Sequence, residues 1–393
     1  MFSTRILRHV LFLLMFTALG IARAQAPEEL KIGVIAPLSG GGTAWGLALQ
    51  RGAQLAVDEV MAKGGLKIGD KVYAPKLVVF DSQYTAAGGR VAAERLISVE
   101  KVKFIIGPIG SPEVLGALPV TMKSETLMLS NGFAVPILKN PENSPYNFRV
   151  LNTSVEFGPA MVKWYRENYP KSKKVAMIGP NDSVGQMVVP QMAEVYKSQG
   201  FEVWSELYER GSKEFTPILL RMIAQKVDLF DLAGNAPSEV GLMIRQARQS
   251  GFKGHIWQAG GPAVDEAIAI AGKLSEGYMS FNVFDFDNPK AANFVKAYRA
   301  KYGTGIINAQ TPIWHNATHM LFESMRRSGG TDVKAVRNSL EKLDGYEGGL
   351  VGPVSWGGLA EYGVNHQLLH EFLIVEVRDG KIMTRATITP VKR

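Results

Sequence analysis

The sequence predicts an α/β fold of two Rossmann-like lobes, each a parallel sheet flanked by helices. Short apolar runs of strand length alternate with amphipathic stretches of helical length, the pattern of strand–helix–strand units. The alternation occurs as two series separated by an irregular segment, 140–153. The chain has 393 residues, 46% of them hydrophobic and 20% charged, enough for two cores and too charged for a multi-span membrane protein.

The first 24 residues stand apart. Arg5 and Arg8 precede an apolar run at 10–16, and Ala22-Arg23-Ala24 is a small-residue cleavage signal. Together these read as a secretory signal peptide cut after Ala24, too short to span a membrane, and place the protein in the periplasm. The first series of expected strands is 31–37 (KIGVIAP), 76–81 (KLVVFD), 103–107 (KFIIG) and 126–130 (TLMLS). The second is 174–179 (KVAMIG), 202–207, 228–233 (DLFDLA) and 255–259. Each is short, apolar and bounded by Gly, Pro, Asn or Asp, as strands buried on both faces are. Helical periodicity fills the gaps at 46–61, 85–99, 113–122, 157–169, 184–199, 215–225 and 238–249.

The strand ends carry the functional signal, because open α/β sheets bind ligands beyond the carboxyl ends of their strands. In the first series those ends read Pro37-Leu38-Ser39-Gly40-Gly41-Gly42, Gly107-Pro108-Ile109-Gly110-Ser111-Pro112 and Ser130-Asn131-Gly132-Phe133-Ala134. In the second they read Gly179-Pro180-Asn181-Asp182-Ser183, Ala233-Gly234-Asn235-Ala236-Pro237 and Ala259-Gly260-Gly261-Pro262. Small and amide-bearing residues let backbone approach a ligand and present N–H donors. Ser111-Pro112-Glu113 reads as a helix N-cap with its first two helical residues. Six such turns from two lobes describe a cleft.

Other chemistries lack their residues. No cysteine is present, which removes disulfides, thiolate metal sites and thiol nucleophiles. The balance of 44 basic to 36 acidic residues contains no basic block of the kind that tracks nucleic acid. Gly40–Trp45 lacks the third glycine of a dinucleotide fingerprint, and Gly64–Lys71 lacks the Gly-Lys-Ser/Thr of a phosphate loop and reads as a hairpin turn. Ser111 is no nucleophile elbow, and Asp81-Ser82 and Asp182-Ser183 have no nearby histidine. His315 and His319, four apart on an expected helix, show no third metal ligand in sequence and are read as packing or surface groups. Neither an enzyme nor a cofactor is expected.

The opening KIGVIAPLSG at 31–40, followed by Trp45-Gly46, the stretch 52–60 (GAQLAVDEV) and Lys63-Gly64-Gly65, resembles the periplasmic solute-binding proteins of ABC transporters. Further matching pieces are 104–107 with Ser111, 127–132, 228–234, 244–248 with Gly251, 270–272, Glu276-Gly277 and Gly352-Pro353. The subgroup it is similar to is the branched-chain amino-acid (Leu/Ile/Val) binding family. The resemblance implies a type I periplasmic binding fold: two lobes joined by a three-crossing hinge that closes on a small ligand for a membrane permease to recognise. Crossings are expected near 149–151, 280–284 and 350–353, giving one lobe from 25–150 and 283–350 and another from 151–282 and 351–393. A monomer is implied.

Departures from the amino-acid binders bear on the ligand. In that family a carboxylate at the position matching Gly260, with a threonine matching Ala134, clasps the α-ammonium. Tyrosines fall near Val184 and near Asn235-Ala236, and Tyr84 and Gly110 stand where some members carry a cysteine pair. A buried ammonium without an anion costs several kcal/mol, so these losses point away from a zwitterion unless Asp182, Asp265 or Glu266 replaces the carboxylate. Ser111 and the backbone of 131–134 match the family's carboxylate-binding side. The expected site is therefore Trp45, Ser111, Asn131, Gly132, Phe133, Ala134, Asn181, Asp182, Val184, Asn235 and Gly260. Its expected ligand is a small organic acid without an amine, most fittingly an aromatic one stacked on Trp45 and Phe133. Trp257, Trp314 and Trp356 are assigned to the core. Alternatives are an amino-acid or amide binder, a ligand-sensing receptor subunit and an exported hydrolase. If the site is aligned correctly, Gly260→Glu is expected to confer leucine binding.

Overall fold

The computed structural model describes residues 26–139, 145–305, 307–347 and 350–390. The expected signal peptide lies outside them. Among the described residues no helix is long and apolar enough to cross a membrane.

The first sheet is built from β1 (Glu28–Ala36), β2 (Leu66–Ile68), β3 (Lys71–Asp81), β4 (Phe104–Ile106), β5 (Leu127–Ser130) and β6 (Asn147–Arg149), with β12 (Ser355–Gly357) and β13 (Gln367–Leu369) arriving late in the chain. Its order is β12-β13-β6-β5-β4-β1-β3-β2. Strands β3, β1, β4, β5 and β6 are mutually parallel. β2 and β3 form the expected hairpin. The second sheet, in order β15-β14-β11-β10-β9-β7-β8, comprises β7 (Lys174–Pro180), β8 (Glu202–Tyr208), β9 (Leu229–Asp231), β10 (His255–Gln258), β11 (Tyr278–Asn282), β14 (Phe372–Arg378) and β15 (Lys381–Ile388). Here β8, β7, β9, β10 and β11 are parallel, and β14 and β15 add antiparallel at the edge.

Position in the sheet follows from composition. Central strands β4, β5 and β9 are buried at every residue, and β7 at all but its first. Edge strands β8 and β15 alternate or face solvent and carry charges, which discourages further pairing. Helices α1 (Thr43–Ala62), α2 (Ala86–Ser98), α3 (Ser111–Lys123) and the short α4 (Pro136–Lys139) belong to the first series. The second contributes α5 (Ser154–Asn168), α6 (Gly185–Ser198), α7 (Thr216–Ala224), α8 (Pro237–Gln249) and α9 (Val264–Ala271). Then come α10 (Ala292–Tyr302), α11 (Gln310–Ser328), α12 (Val333–Glu341) and the short α13 (Leu359–Tyr362). Caps are local in origin: Thr85 accepts from Gly88 N–H, and Thr153 N–H donates to Glu156, whose carboxylate returns to the start of α5. Trp257 and Trp314 are completely buried in the core, while Trp356 is half-buried against it.

Each sheet reverses its winding once. The chain adds β3 on one side of β1 and then β4 on the other; it adds β8 beside β7 and then β9 on β7's opposite side. Crevices open beyond the strand ends at such reversals. The chain leaves the first sheet after Arg149 and the second after Asn282. The third passage is not at 350–353, because β12 and β13 still pair within the first sheet. It falls between Leu369 and Phe372, two short strands later than the Gly-Pro signal implied.

Candidate functional site

Between the two sheets lies a narrow cleft, partly open to solvent. The strand-end turns after β1, β3, β4 and β5 supply one wall, and those after β7, β9 and β10 supply the other.

On the first wall, α3 starts one residue earlier than a Ser111 cap would require. Gly110 is the cap position and Ser111 the first helical residue. Glu113 accepts from Gly110 N–H at 2.6 Å and Ile109 N–H at 3.1 Å, so those donors are satisfied internally. Ser111 Oγ instead accepts from Ala134 N–H at 2.9 Å, leaving its own hydrogen available to the cavity. Asn131 Nδ2 donates to Gln310 Oε1 at 3.0 Å, while Asn131 Oδ1 is buried without a protein partner. A buried acceptor left unpaired calls for a donor from outside the protein.

Three aromatic rings complete this wall. Trp45 and Tyr84 lie tilted, with centroids 6.2 Å apart, and Phe133 sits 5.8 Å from Phe157 of the opposite lobe. Tyr84 is held at φ +59°, and its ring covers Gly110, where a β-carbon would come within 2.6 Å of it. Burial pushes the Tyr84 phenol up, so it stays un-ionised.

The opposite wall is backbone and small side chains: Val184, Gly234, Asn235, Gly260 and Gly261. The last two glycines sit at φ +98° and +81°, a region costly for any other residue. A β-carbon on Gly260 would lie 2.0 Å from the Phe157 ring. Asn235 presents no free amide: Tyr208 OH donates to its Oδ1 at 2.6 Å, and its Nδ2 donates to the carbonyls of Ile178 and Leu232.

The lobes meet across the cleft. Trp45 Nε1 donates to Pro262 O at 2.5 Å, and Ser238 Oγ to Gly41 O at 3.3 Å. The Arg210 guanidinium lies 4.9 Å from the Tyr84 ring centroid. Arg210 also pairs with Asp182 and, at 3.0 Å, with Glu239.

Among the described residues, no Asp, Glu, Lys, Arg or His lines the cavity. Asp182 is bound to Arg210 and to the N–H groups of Val184 and Gly185. Both oxygens of Asp265 accept from Asn308 Nδ2, at 3.0 and 2.8 Å. Glu266, in the first turn of α9, is also absent from the lining. None of the three carboxylates considered as replacements reaches the space.

Of the eleven residues expected from sequence, Trp45, Ser111, Asn131, Phe133, Val184, Asn235 and Gly260 converge on the cavity. Four do not. Gly132 is wedged against Ile137 and Val114. Ala134 is tied through its N–H to Ser111 and through its carbonyl to Arg149. Asn181 is exposed and bonded to Glu209 and Gln186, and Asp182 serves Arg210. Sequence reasoning missed Tyr84, Ile109, Gly110, Gly234, Gly261 and Gln310. Ile109, Gly110, Gly234 and Gly261 belong to the signalled turns and could have been taken. Tyr84 follows a turn of bulky polar residues, and Gln310 begins a helix remote from any signalled strand.

Comparison with known proteins agrees with this architecture. The periplasmic binding protein family matches residues 29–381, and the chain belongs to it. A Leu/Ile/Val-binding protein homolog 2 of Brucella abortus is 29% identical over 278 residues, covering 69% of this chain and 71% of that protein. The leucine-binding protein LivK of Thermotoga maritima superposes with a TM-score of 0.80 at 24% identity, covering 92% of this chain and 99% of that one. A solute-binding protein of an ABC transporter from R. palustris, in complex with benzoate, gives a TM-score of 0.80 at 20% identity, covering 93% and 98%. At these identities the structural likenesses establish the fold. The chain is a periplasmic binding protein, and its fold is that of the leucine- and benzoate-binding proteins it superposes on.

Proposed function

We propose that this periplasmic binding protein captures a small aromatic carboxylic acid lacking an amine, a hydroxylated benzoate or phenylpropanoid, for import by its permease. The carrying observation is a cavity whose lining has three aromatic rings and no ionisable carboxylate. An α-ammonium there would be buried without an anion, at a cost of several kcal/mol. The ligand carboxylate takes the Ser111 hydroxyl and the first turn of α3. A ring hydroxyl donates to Asn131 Oδ1, and the ring body lies among Trp45, Tyr84 and Phe133. The benzoate held by the R. palustris neighbour supports this reading. The leucine-binding relatives support the other one, which the Phe157 ring beside Gly260 opposes.

Two lobes, 26–149 with 283–369 and 150–282 with 372–390, close over that ligand as a monomer. Closure is favoured because the ligand touches both walls only in the closed form. A thermal-shift screen of protein unfolded and refolded to strip its ligand tests the proposal. Hydroxybenzoates, benzoate and cinnamates are compared with aliphatic acids and branched-chain amino acids. A ligand at 100 times its Kd stabilises by about 2.7 kcal/mol. A shift with aromatic acids alone supports the reading; a clear shift with leucine or valine overturns it.

A further inference from the structure

Outside the cavity lining, Glu59 on α1 reaches between two histidines of α11. His315 Nε2 lies 2.9 Å from one carboxylate oxygen and His319 Nε2 lies 3.0 Å from the other. Four residues apart, the imidazoles share one helix face, and their rings stand 4.6 Å apart. The third ligand that the sequence did not reveal comes from the neighbouring helix. We propose that Glu59, His315 and His319 form a site for a zinc-class divalent cation that joins α1 to α11.

The donor set is the first argument. Two imidazole nitrogens and a carboxylate oxygen match the preferences of zinc, whereas magnesium and calcium take oxygen ligands. All three ligand atoms lie within 4.8 Å of one another. Zinc bonds of about 2.0–2.2 Å require them to draw around a common centre. Movement is available on one side only: the Glu59 side chain is 38% exposed and can withdraw from between the rings, while His315 is 5% exposed and fixed.

Rigidity is the second argument. Gly52, two turns before Glu59, lies so close to α11 that a β-carbon there would be 2.2 Å from Thr311 O. The helices thus touch through backbone, and the distance between the two ligand-bearing surfaces is set by packing. Third, His315 Nδ1 is buried without a partner. That nitrogen has no acceptor whether Nε2 meets Glu59 or a metal, so the ring's one productive edge faces the carboxylate and His319. With no second-shell acceptor on Nδ1, affinity should be roughly 10–100-fold below that of a fully supported site. A position toward solvent remains for water. The cation acts as a staple on the two helices whose first turns give Trp45 and Gln310 to the cavity.

The test uses the untagged protein stripped with a chelator and titrated calorimetrically with zinc chloride. Expected are one zinc per chain, a raised unfolding temperature and, with cobalt, visible absorption of a site with nitrogen ligands. Glu59→Gln and His319→Gln should each weaken zinc binding by about tenfold or more. The melts of parent and Glu59→Gln in chelator are the metal-free baselines, and the rise in unfolding temperature on adding zinc should be confined to the parent. No zinc uptake at micromolar metal, or uptake unchanged in both variants, overturns the proposal.

Discussion

The ring of Phe157 stands where a side chain on Gly260 would grow: a β-carbon there meets Phe157 Cζ at 2.0 Å. Gly260 is therefore more than a lost carboxylate. Its place has been filled from α5, and its backbone, at φ +98°, has been set for glycine. Restoring the acid is therefore predicted not to restore an ammonium site, where the sequence alone predicts leucine binding. Gly260→Ala should cost about 1–3 kcal/mol in urea unfolding. Gly260→Glu should be at least as destabilised and show no heat on titration with leucine; leucine binding by a stably folded Gly260→Glu protein would mean Phe157 moves aside.

Trp45 is both cavity wall and clasp. Trp45→Phe keeps a ring in the wall but removes the hydrogen bond to Pro262 O. That loss acts mainly on the closed form and is worth about 1 kcal/mol. Ligand affinity by calorimetry should fall roughly fivefold, with the unfolding midpoint of ligand-free protein little changed.

Arg210 holds two carboxylates and faces Tyr84. Replacing it with Met strands Glu239, whose side chain is 3% exposed, with a buried charge. Arg210→Met should lose about 3 kcal/mol or more of stability. Arg210→Lys should recover only part of it, since one ammonium cannot reproduce the guanidinium's fork. Equilibrium urea unfolding of both variants decides this.

Glu113 caps α3 from a fully buried position, and burial pushes its carboxyl from the ordinary 4.5 up to about 7 despite bonds from Ser82, Gly110 and Ile109. A raised pKa means the native state binds the proton more tightly than the unfolded chain. Its contribution is complete below about pH 4.5 and is lost as pH rises through about 7, amounting to on the order of 3 kcal/mol. Glu113→Gln should remove this dependence. The stability difference, parent minus variant, should fall between pH 5 and 8; a flat or rising difference would show that Glu113 is ionised throughout.

Much of this was legible locally. Strands such as β4, β5 and β9 are buried on both faces, and uninterrupted apolar runs between Gly, Pro and Asp announce that. The late elements were less legible. β12, β13 and α13 are three or four residues long, and the two strands join the sheet only through the pairing of β13 with the distant β6. Within the site, composition of the turns singled out Ser111, Asn131 and Gly260, which line the cavity, together with Asn181 and Asp182, which do not. A turn residue can point into the cleft or along its own lobe, and Arg210 decides that for Asp182.

The sequence by itself determined the two wound sheets, the cleft between their strand ends and the absence of thiol chemistry, because burial, turn formation and composition are local properties. Tertiary structure alone decided that Phe157 occupies the space beside Gly260, that Asn235 is consumed by Tyr208, and that Glu59 meets His315 and His319. Each of those is a contact between residues distant in the chain, fixed by how closely packed elements approach and invisible in any window of sequence.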